Sequence, residues 1–427
     1  MKGSSVSMTP QTLTIICVLV CVNSKQLYHG HKVVRVTPET KRHMSFLSSL
    51  RRQFTNDDVD FWKQLTRKGK PVDIRISPGN IYDNITQQLL THDIKFKIQM
   101  ADLHSFIDEQ NGESNRGRGP HAWFDKYHSL EEIFSWLQNK ADNCKERCQL
   151  SAIGKSIQGR ELYVLKIQAE RLNPKPLMFI NCGIHAREWI SHATCLFLID
   201  QLIANDSDDV ALQRIIRKVD FAILPVFNVD GYVYTWKKDR MWRKNRGVNP
   251  GSKCVGTDLN RIWSFHWGET GASSDPCSPT YHGGAAMSEP EVQSVARFLE
   301  SQQHRLAGYL DIHSYGQMIL FPWGYTRDPP EDQEDMIHAA KAMVKAIKTQ
   351  GGYHANYTFG QASRVIYIES GTTKDYVYGH LNVKYAFSME LRDTGKYGFM
   401  LPTQLIKPTA KEAFEGIKAM VLNMKFK

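Results

Sequence analysis

Leu177-Met-Phe-Ile-Asn-Cys182-Gly-Ile-His185-Ala-Arg-Glu188-Trp189 is an apolar run that breaks at a glycine and then offers two chemistry-bearing side chains three residues apart. An uninterrupted apolar run bounded by a turn signal reads as a strand buried on both faces, as in the parallel sheets of α/β proteins. Loops at the ends of such strands are where open α/β sheets place ligands. His185 and Glu188 therefore stand where a single turn can aim both at one ion. Alone, the pair is weak, because most pairs of this spacing are surface or hydrogen-bonding residues, and it needs a third ligand. His313 ends a second apolar run, Leu310-Asp-Ile-His313-Ser-Tyr315, and is the candidate. Two imidazoles and one carboxylate, with water in the fourth place, are a donor set for catalytic zinc; core or hydrogen-bonding histidine is the plain alternative.

Working outward, buried-strand runs at 162–167, 177–181, 221–226, 307–312 and 385–389 alternate with long helices, an α/β domain with a buried sheet. Ser288-Glu-Pro-Glu291 and Thr409-Ala-Lys-Glu412 read as capping boxes opening two of those helices. Before this domain, the pattern runs strand (33–36), helix (39–53), strand (72–76), helix (79–90), strand (96–100) and a helix near 101–110, a small open α/β sandwich. The two units are joined by Asn111-Gly-Glu-Ser-Asn-Arg116-Gly-Arg118-Gly-Pro120, either a plain linker or an activation site offering arginines to a trypsin-like protease.

The 427 residues, 41% apolar and 23% charged, suffice for one large core and one small one. Lysine and arginine outnumber acids 54 to 44, but the excess is spread along the chain without a basic run interleaved with aromatics, which argues against nucleic acid as a partner. Lys2, the apolar stretch 13–22 and the small residues ending at Ser24 read as a secretory signal peptide, cleaved after Ser24. That stretch is too short to span a bilayer, no other reaches ~18 apolar residues, and the basic end 423–427 carries no lipid-anchor signal. A soluble secreted protein is expected. Cys17 and Cys21 leave with the signal, and Cys144, Cys148, Cys182, Cys195, Cys254 and Cys277 remain for three disulfides. The close pair Cys144/Cys148 reads as a local disulfide or, less readily in a secreted chain, as zinc ligands. Sequons at Asn84, Asn205 and Asn356 take glycans only where exposed.

Several further motifs occur in order: Asn228-Val-Asp-Gly-Tyr, Arg240-Met-Trp-Arg243-Lys, Asp258-Leu-Asn260-Arg261, Tyr367, and Glu390-Leu-Arg-Asp-Thr-Gly. With His185-Ala-Arg187-Glu188-Trp and His313-Ser-Tyr315, they make the chain from about residue 127 to 425 resemble the A/B subfamily of zinc metallocarboxypeptidases, the funnelins. The N-terminal unit resembles their prosegment. This resemblance implies a mixed central β-sheet flanked by helices, preceded by the small α/β prosegment. It divides the chain into a signal peptide (1–24), an activation prosegment (25–118) released by cleavage after Arg118, and a catalytic domain (119–427). It assigns one Zn2+ to His185, Glu188 and His313, the general base to Glu390, and polarisation of the peptide carbonyl to Arg243. Asn260, Arg261 and Tyr367 would recognise the substrate's α-carboxylate, the charge unique to a chain end, for which the planar fork of arginine is suited. Arg187, Arg240 and Tyr315 would line the approach. By position, Cys254 pairs with Cys277 and Cys182 with Cys195, whereas Cys144/Cys148 has no counterpart. The partners implied are peptide or protein C-termini and an activating protease, acting on a monomer.

In the specificity pocket, the position that is apolar in A-type enzymes and aspartate in B-type enzymes is Lys374. An ammonium there favours a C-terminal Glu or Asp, and in this the pocket resembles carboxypeptidase O. Glu369, where the family usually has a small residue, sets the alternative: if it pairs with Lys374, preference reverts to neutral side chains. Thr372 and Ile262 also depart from the family pattern. The rival classes are a catalytically dead peptide-binding relative and a deacylase on the same scaffold. The full set of catalytic groups speaks against the first, and retention of Asn260, Arg261 and Tyr367 against the second.

Overall fold

The computed structural model describes residues 25–112, 122–169, 174–204 and 208–426. The signal segment, Arg116, Arg118 and Asn205 lie outside the described residues. Four strands, β1 (Lys32–Val36), β2 (Val59–Phe61), β3 (Val72–Ile76) and β4 (Phe96–Met100), form an antiparallel sheet in the order β2-β3-β1-β4. The helices Lys41–Gln53 and Asn80–Thr91 bury Phe46, Leu47, Leu50, Ile85 and Leu89 in one small core with Val34, Val36, Ile74 and Ile76 of the sheet. Thr40 caps the first of these helices through the His43 amide.

The second unit has eight strands: β5 (Cys148–Lys155), β6 (Glu161–Ile167), β7 (Leu177–Cys182), β8 (Asp220–Leu224), β9 (Leu306–Ser314), β10 (Met318–Phe321), β11 (Thr358–Gln361) and β12 (Tyr385–Leu391). They lie in the order β11-β10-β12-β9-β7-β8-β6-β5. The block β12-β9-β7-β8 is parallel and carries four of the five apolar runs read from the sequence; the fifth, at 162–167, is β6, which joins β8 antiparallel. Every residue of β7 and β8 is buried, as expected for strands covered on both faces. The helix Trp189–Ala204 is apolar nearly all round and correspondingly buried. Among the described residues, no helix is long and apolar enough to cross a membrane.

The two capping boxes are not formed. Pro290 occupies the first turn of the helix Pro290–Ser301, and Glu291 turns away to accept from the Ile157 amide at 3.0 Å and from Asn245 at 3.3 Å. The helix Ile406–Asn423 starts before Thr409, while Glu412 forms an ion pair with Arg392. In both cases a tertiary donor outbids the local backbone for the carboxylate. A capping box does form where Ser129 and Glu132 open the helix Leu130–Asn143, with exchanged bonds of 3.2 and 2.9 Å.

The two units meet in a mixed apolar cluster in which Tyr28, Val33, Trp62, Met100, Leu103 and Ile107 pack with Met241, Tyr315, Phe399 and Met400. Polar bonds edge it: Asp60 to Arg187 at 2.8 Å, Asp73 to the Tyr315 hydroxyl at 2.8 Å, and Tyr28 to Asp239 at 2.5 Å.

Candidate active site

Register alone brings the site together. β7 and β9 pair with Asn181 beside Asp311 and Cys182 beside Ile312, and β9 pairs with β12 so that His313 lies beside Glu390. Three adjacent parallel strands thus deliver the loop 183–188, His313 and Glu390 to one edge of the sheet. Gly183 makes the turn out of β7 with φ 70°, and a Cβ there would run into the ring of His192, so a side chain is excluded on both counts. Cys182 is bonded to Cys195, which fastens the end of β7 to the helix behind it. Asn228 clamps the loop from the other side, donating to Lys244 O at 3.0 Å and to Arg243 O at 3.3 Å, while the Ala186 amide donates to Arg243 O at 3.0 Å.

Donor atoms of His185, Glu188 and His313 lie within 4.8 Å of one another, and all three residues are buried. Nδ1 of His185 and Nδ1 of His313 face each other at 3.2 Å, with the Glu188 oxygens 2.9 and 3.2 Å from them. The outward ring atoms are held: His185 Nε2 by Asp258 at 3.1 Å and His313 Nε2 by Asp311 at 2.7 Å. Fixing the far nitrogen of a ligating histidine through a carboxylate orients the ring and makes the near nitrogen a better donor, the usual support of a zinc site. The N/N/O set with both rings so fixed fits one zinc ion.

Asp258 and Asp311 were not singled out from sequence. Asp311 had a signal, since it precedes His313 by two in a strand and so shares its face. Burial works against ionisation of Asp258, but Arg243 and His185 overcome it and hold its carboxyl well below the usual range. Arg243 donates to it through Nη2 at 2.7 Å and lies 3.9 Å from Glu188. For Glu390, burial is the largest effect and raises its pKa; with Glu188 and Glu369 adding and His313 and Arg243 opposing, it stands at about 7.

Asn260 approaches His313 Nε2 at 3.5 Å and accepts from the Thr373 amide at 2.9 Å. Arg261 donates to the Tyr367 hydroxyl at 2.8 Å and to Glu369 at 3.1 Å, and Glu369 in turn holds Lys374 at 2.5 Å. Burial opposes the charges of that last pair, yet each partner stabilises the other, with Glu369 shifted down and Lys374 up. Arg187 and Tyr315 are brought to the cleft but are occupied by Asp60 and Asp73 of the N-terminal unit. Arg240 is 1% exposed in this precursor: it stacks on Trp189 at 3.8 Å, and its nitrogens donate to Gln110 of the N-terminal unit, Arg187 O and Phe399 O. Cys254–Cys277 is formed, and Cys144–Cys148 is a local disulfide.

Residues 133–416 match the family model described as zinc carboxypeptidase, and residues 34–110 match the carboxypeptidase activation peptide. The chain is 40% identical to carboxypeptidase B2 of Rattus norvegicus over 394 residues, covering 91% of this chain and 92% of that one. It is 36% identical to mast cell carboxypeptidase A of Homo sapiens over 395 residues, covering 92% and 93%. A crystal structure of thrombin activatable fibrinolysis inhibitor superposes with a TM-score of 0.86 at 35% identity, covering 93% of this chain and 99% of that one. Fold, donor set and these likenesses lead to one conclusion: the chain belongs to the zinc carboxypeptidase family, as a peptide hydrolase that uses one zinc ion at His185, Glu188 and His313 and carries its own activation peptide.

Proposed function

We propose that this zymogen is a secreted, monomeric exopeptidase that releases single C-terminal residues once a signal peptide (1–24) and a prosegment (25–118) have been removed from the catalytic domain (119–427). The observation that carries the reading is the position of Asn260, Arg261 and Tyr367 beside the metal triad, with Asn260 3.5 Å from His313. Zinc, when bound, supplies Lewis-acid polarisation and makes a water easier to deprotonate. Glu390 takes a proton on its carboxylate as water attacks the terminal peptide carbonyl, then delivers it to the departing amine. Arg243 presents N–H groups to the oxygen on which charge develops, and Asp258 keeps its guanidinium in place. Arg261 and Asn260 bind the α-carboxylate and Tyr367 closes over it. Arg187 and Tyr315 meet the substrate after the prosegment leaves; Arg240 then loses Gln110 and keeps its bonds to Arg187 O and Phe399 O, which support a positioning role beside its contact with more distal substrate residues.

Lys374 alone would favour an acidic C-terminal residue, the carboxypeptidase O-like preference. Its ion pair with Glu369 supports neutral side chains instead, because the ammonium is already matched. The test is kcat/KM of trypsin-treated protein on blocked dipeptides ending in Leu, Glu and Arg. The best substrate should end in Leu. Glu as the best ending would restore the acidic preference, and Arg would exclude both. The zymogen reading expects the intact precursor to be at least about 10-fold less active than the trypsin-treated form, since Asp60 and Asp73 hold Arg187 and Tyr315.

A further inference from the structure

Glu369 stands on the arginine that a substrate's chain end needs. Arg261 has few donors left uncommitted: Nη1 donates to Asn260 O at 2.6 Å, Nε lies 3.4 Å from Gly271 O, and Nη2 serves both the Tyr367 hydroxyl at 2.8 Å and Glu369 Oε2 at 3.1 Å. A carboxylate arriving from outside wants two of those N–H groups in parallel. The other oxygen of Glu369, Oε1, is held by Lys374 Nζ at 2.5 Å, and Lys374 also donates to Thr372 Oγ1 at 3.3 Å. Glu369 and Lys374 are 6% and 1% exposed, so neither charge is supported by bulk water.

The close approach is built in. A Cβ on residue 324 would stand 2.9 Å from Glu369 Cγ and 2.9 Å from Lys374 Nζ, and the position is glycine. Gly324 also receives the Glu369 amide at 3.0 Å, which fixes the backbone from which the carboxylate reaches Arg261.

We propose that Glu369 is a resident carboxylate: it occupies Arg261 in the empty pocket, is displaced onto Lys374 when a substrate's α-carboxylate binds, and thereby sets both the affinity and the side-chain preference of the site. The proposal rests on the carboxypeptidase reading given above. Arg261, Lys374 and Glu369 carry one net positive charge among them, and the buried Asp375, held by the Gly324 amide next to Lys374, adds a further carboxylate. A substrate's α-carboxylate takes up what positive charge remains, so an acidic side chain would bring another negative charge with no uncommitted cation to receive it. Displacement withdraws Glu369 from one cation and leaves it on the other, so the competition is felt in substrate binding more than in the chemical step.

The experiment uses the full-length precursor after trypsin treatment, as wild type, Glu369→Gln, Lys374→Met and the double variant, on blocked dipeptides ending in Leu, Gln and Glu. Glu369→Gln removes the competing charge, so KM for the Leu substrate should fall about 10-fold, and kcat/KM for Glu relative to Leu should rise about 100-fold as Lys374 is freed. Lys374→Met should raise KM, because Glu369 is then held by Arg261 alone. The double variant should return the low KM without the preference for Glu. A merely structural role predicts the same sign for both single variants, with losses in kcat. Unchanged or raised KM in Glu369→Gln, with the rank of substrates unaltered, overturns the proposal. Should Glu369→Gln fail to fold, a fall in KM for Lys374→Met overturns it equally. If the wild type cleaves none of the dipeptides, it is the carboxypeptidase reading that fails.

Discussion

At one end of the cleft, His185, His313 and Glu188 turn their donor atoms towards a common point, with like ring nitrogens facing each other at 3.2 Å. At the other end, Arg261, Glu369 and Lys374 close on one another in a chain of unlike charges with contacts of 3.1 and 2.5 Å. Both groups are buried. The first is an arrangement of acceptors that makes electrostatic sense around a cation supplied from outside. In the second each charge already has an opposite partner, so an incoming carboxylate has to compete for Arg261. The metal end gathers donors for an ion, whereas at the other end a ligand must displace a partner that is already present.

The largest effect expected at the recruiting end is on chemistry. Glu390→Gln keeps shape and removes the proposed base, and kcat on a Leu-terminated dipeptide should fall by about 10²–10⁴-fold while zinc content stays at one per chain. A fall below about 10-fold would assign the base elsewhere. Next in size, Asp258→Asn loosens the ring of His185, and zinc affinity measured by competition with a chelator should drop about 10–100-fold. Lys374→Met, at the matched end, should leave that affinity where it is; a shared loss would show that the two ends are coupled.

The smallest effect concerns a third group, buried acids without a matching cation. Glu291 is fully buried, and burial, with Glu289 and Asp230 adding, raises its pKa to about 7. A carboxyl that is harder to ionise in the folded state binds more protons there, so stability is present at low pH and is lost as pH rises from the unfolded value near 4.5 through about 7. Glu291→Gln should therefore flatten the dependence of Tm on pH between 5 and 8 and stabilise the precursor at pH 8 by about 1–2 kcal/mol. A variant as sloped as the wild type would mean that another group titrates.

The parallel block was legible because its strands are mostly apolar runs, of which β9 closes on His313 and β7 leads into the loop that carries His185 and Glu188. The edge strands were not. β5 alternates irregularly between exposed and half-buried residues, β10 and β11 have four residues each, and Gly360 interrupts the β signal of the latter. β2 has three residues. In the site, His185, Glu188 and His313 could be read, as could the alternatives for Lys374, since Glu369 lies only five residues away. That the two carboxylic oxygens of Glu369 bridge Lys374 and Arg261 depends on an approach through Gly324 that no local pattern encodes. Asp60 and Asp73 were illegible for a related reason: their partners Arg187 and Tyr315 are 127 and 242 residues distant.

In the proposed zymogen, the seam between the two units governs when the N-terminal unit departs. Its apolar cluster from Tyr28 to Met400, the Asp60–Arg187 ion pair and the Tyr28–Asp239 bond join surfaces rather than neighbouring stretches of chain. Severing the connection between the units breaks none of these contacts; it only lets the fragments drift apart, and lowers the effective concentration that held them together. Scission and departure are thus separate events, and the fraction of N-terminal unit still bound after the cut should fall on dilution and with added salt.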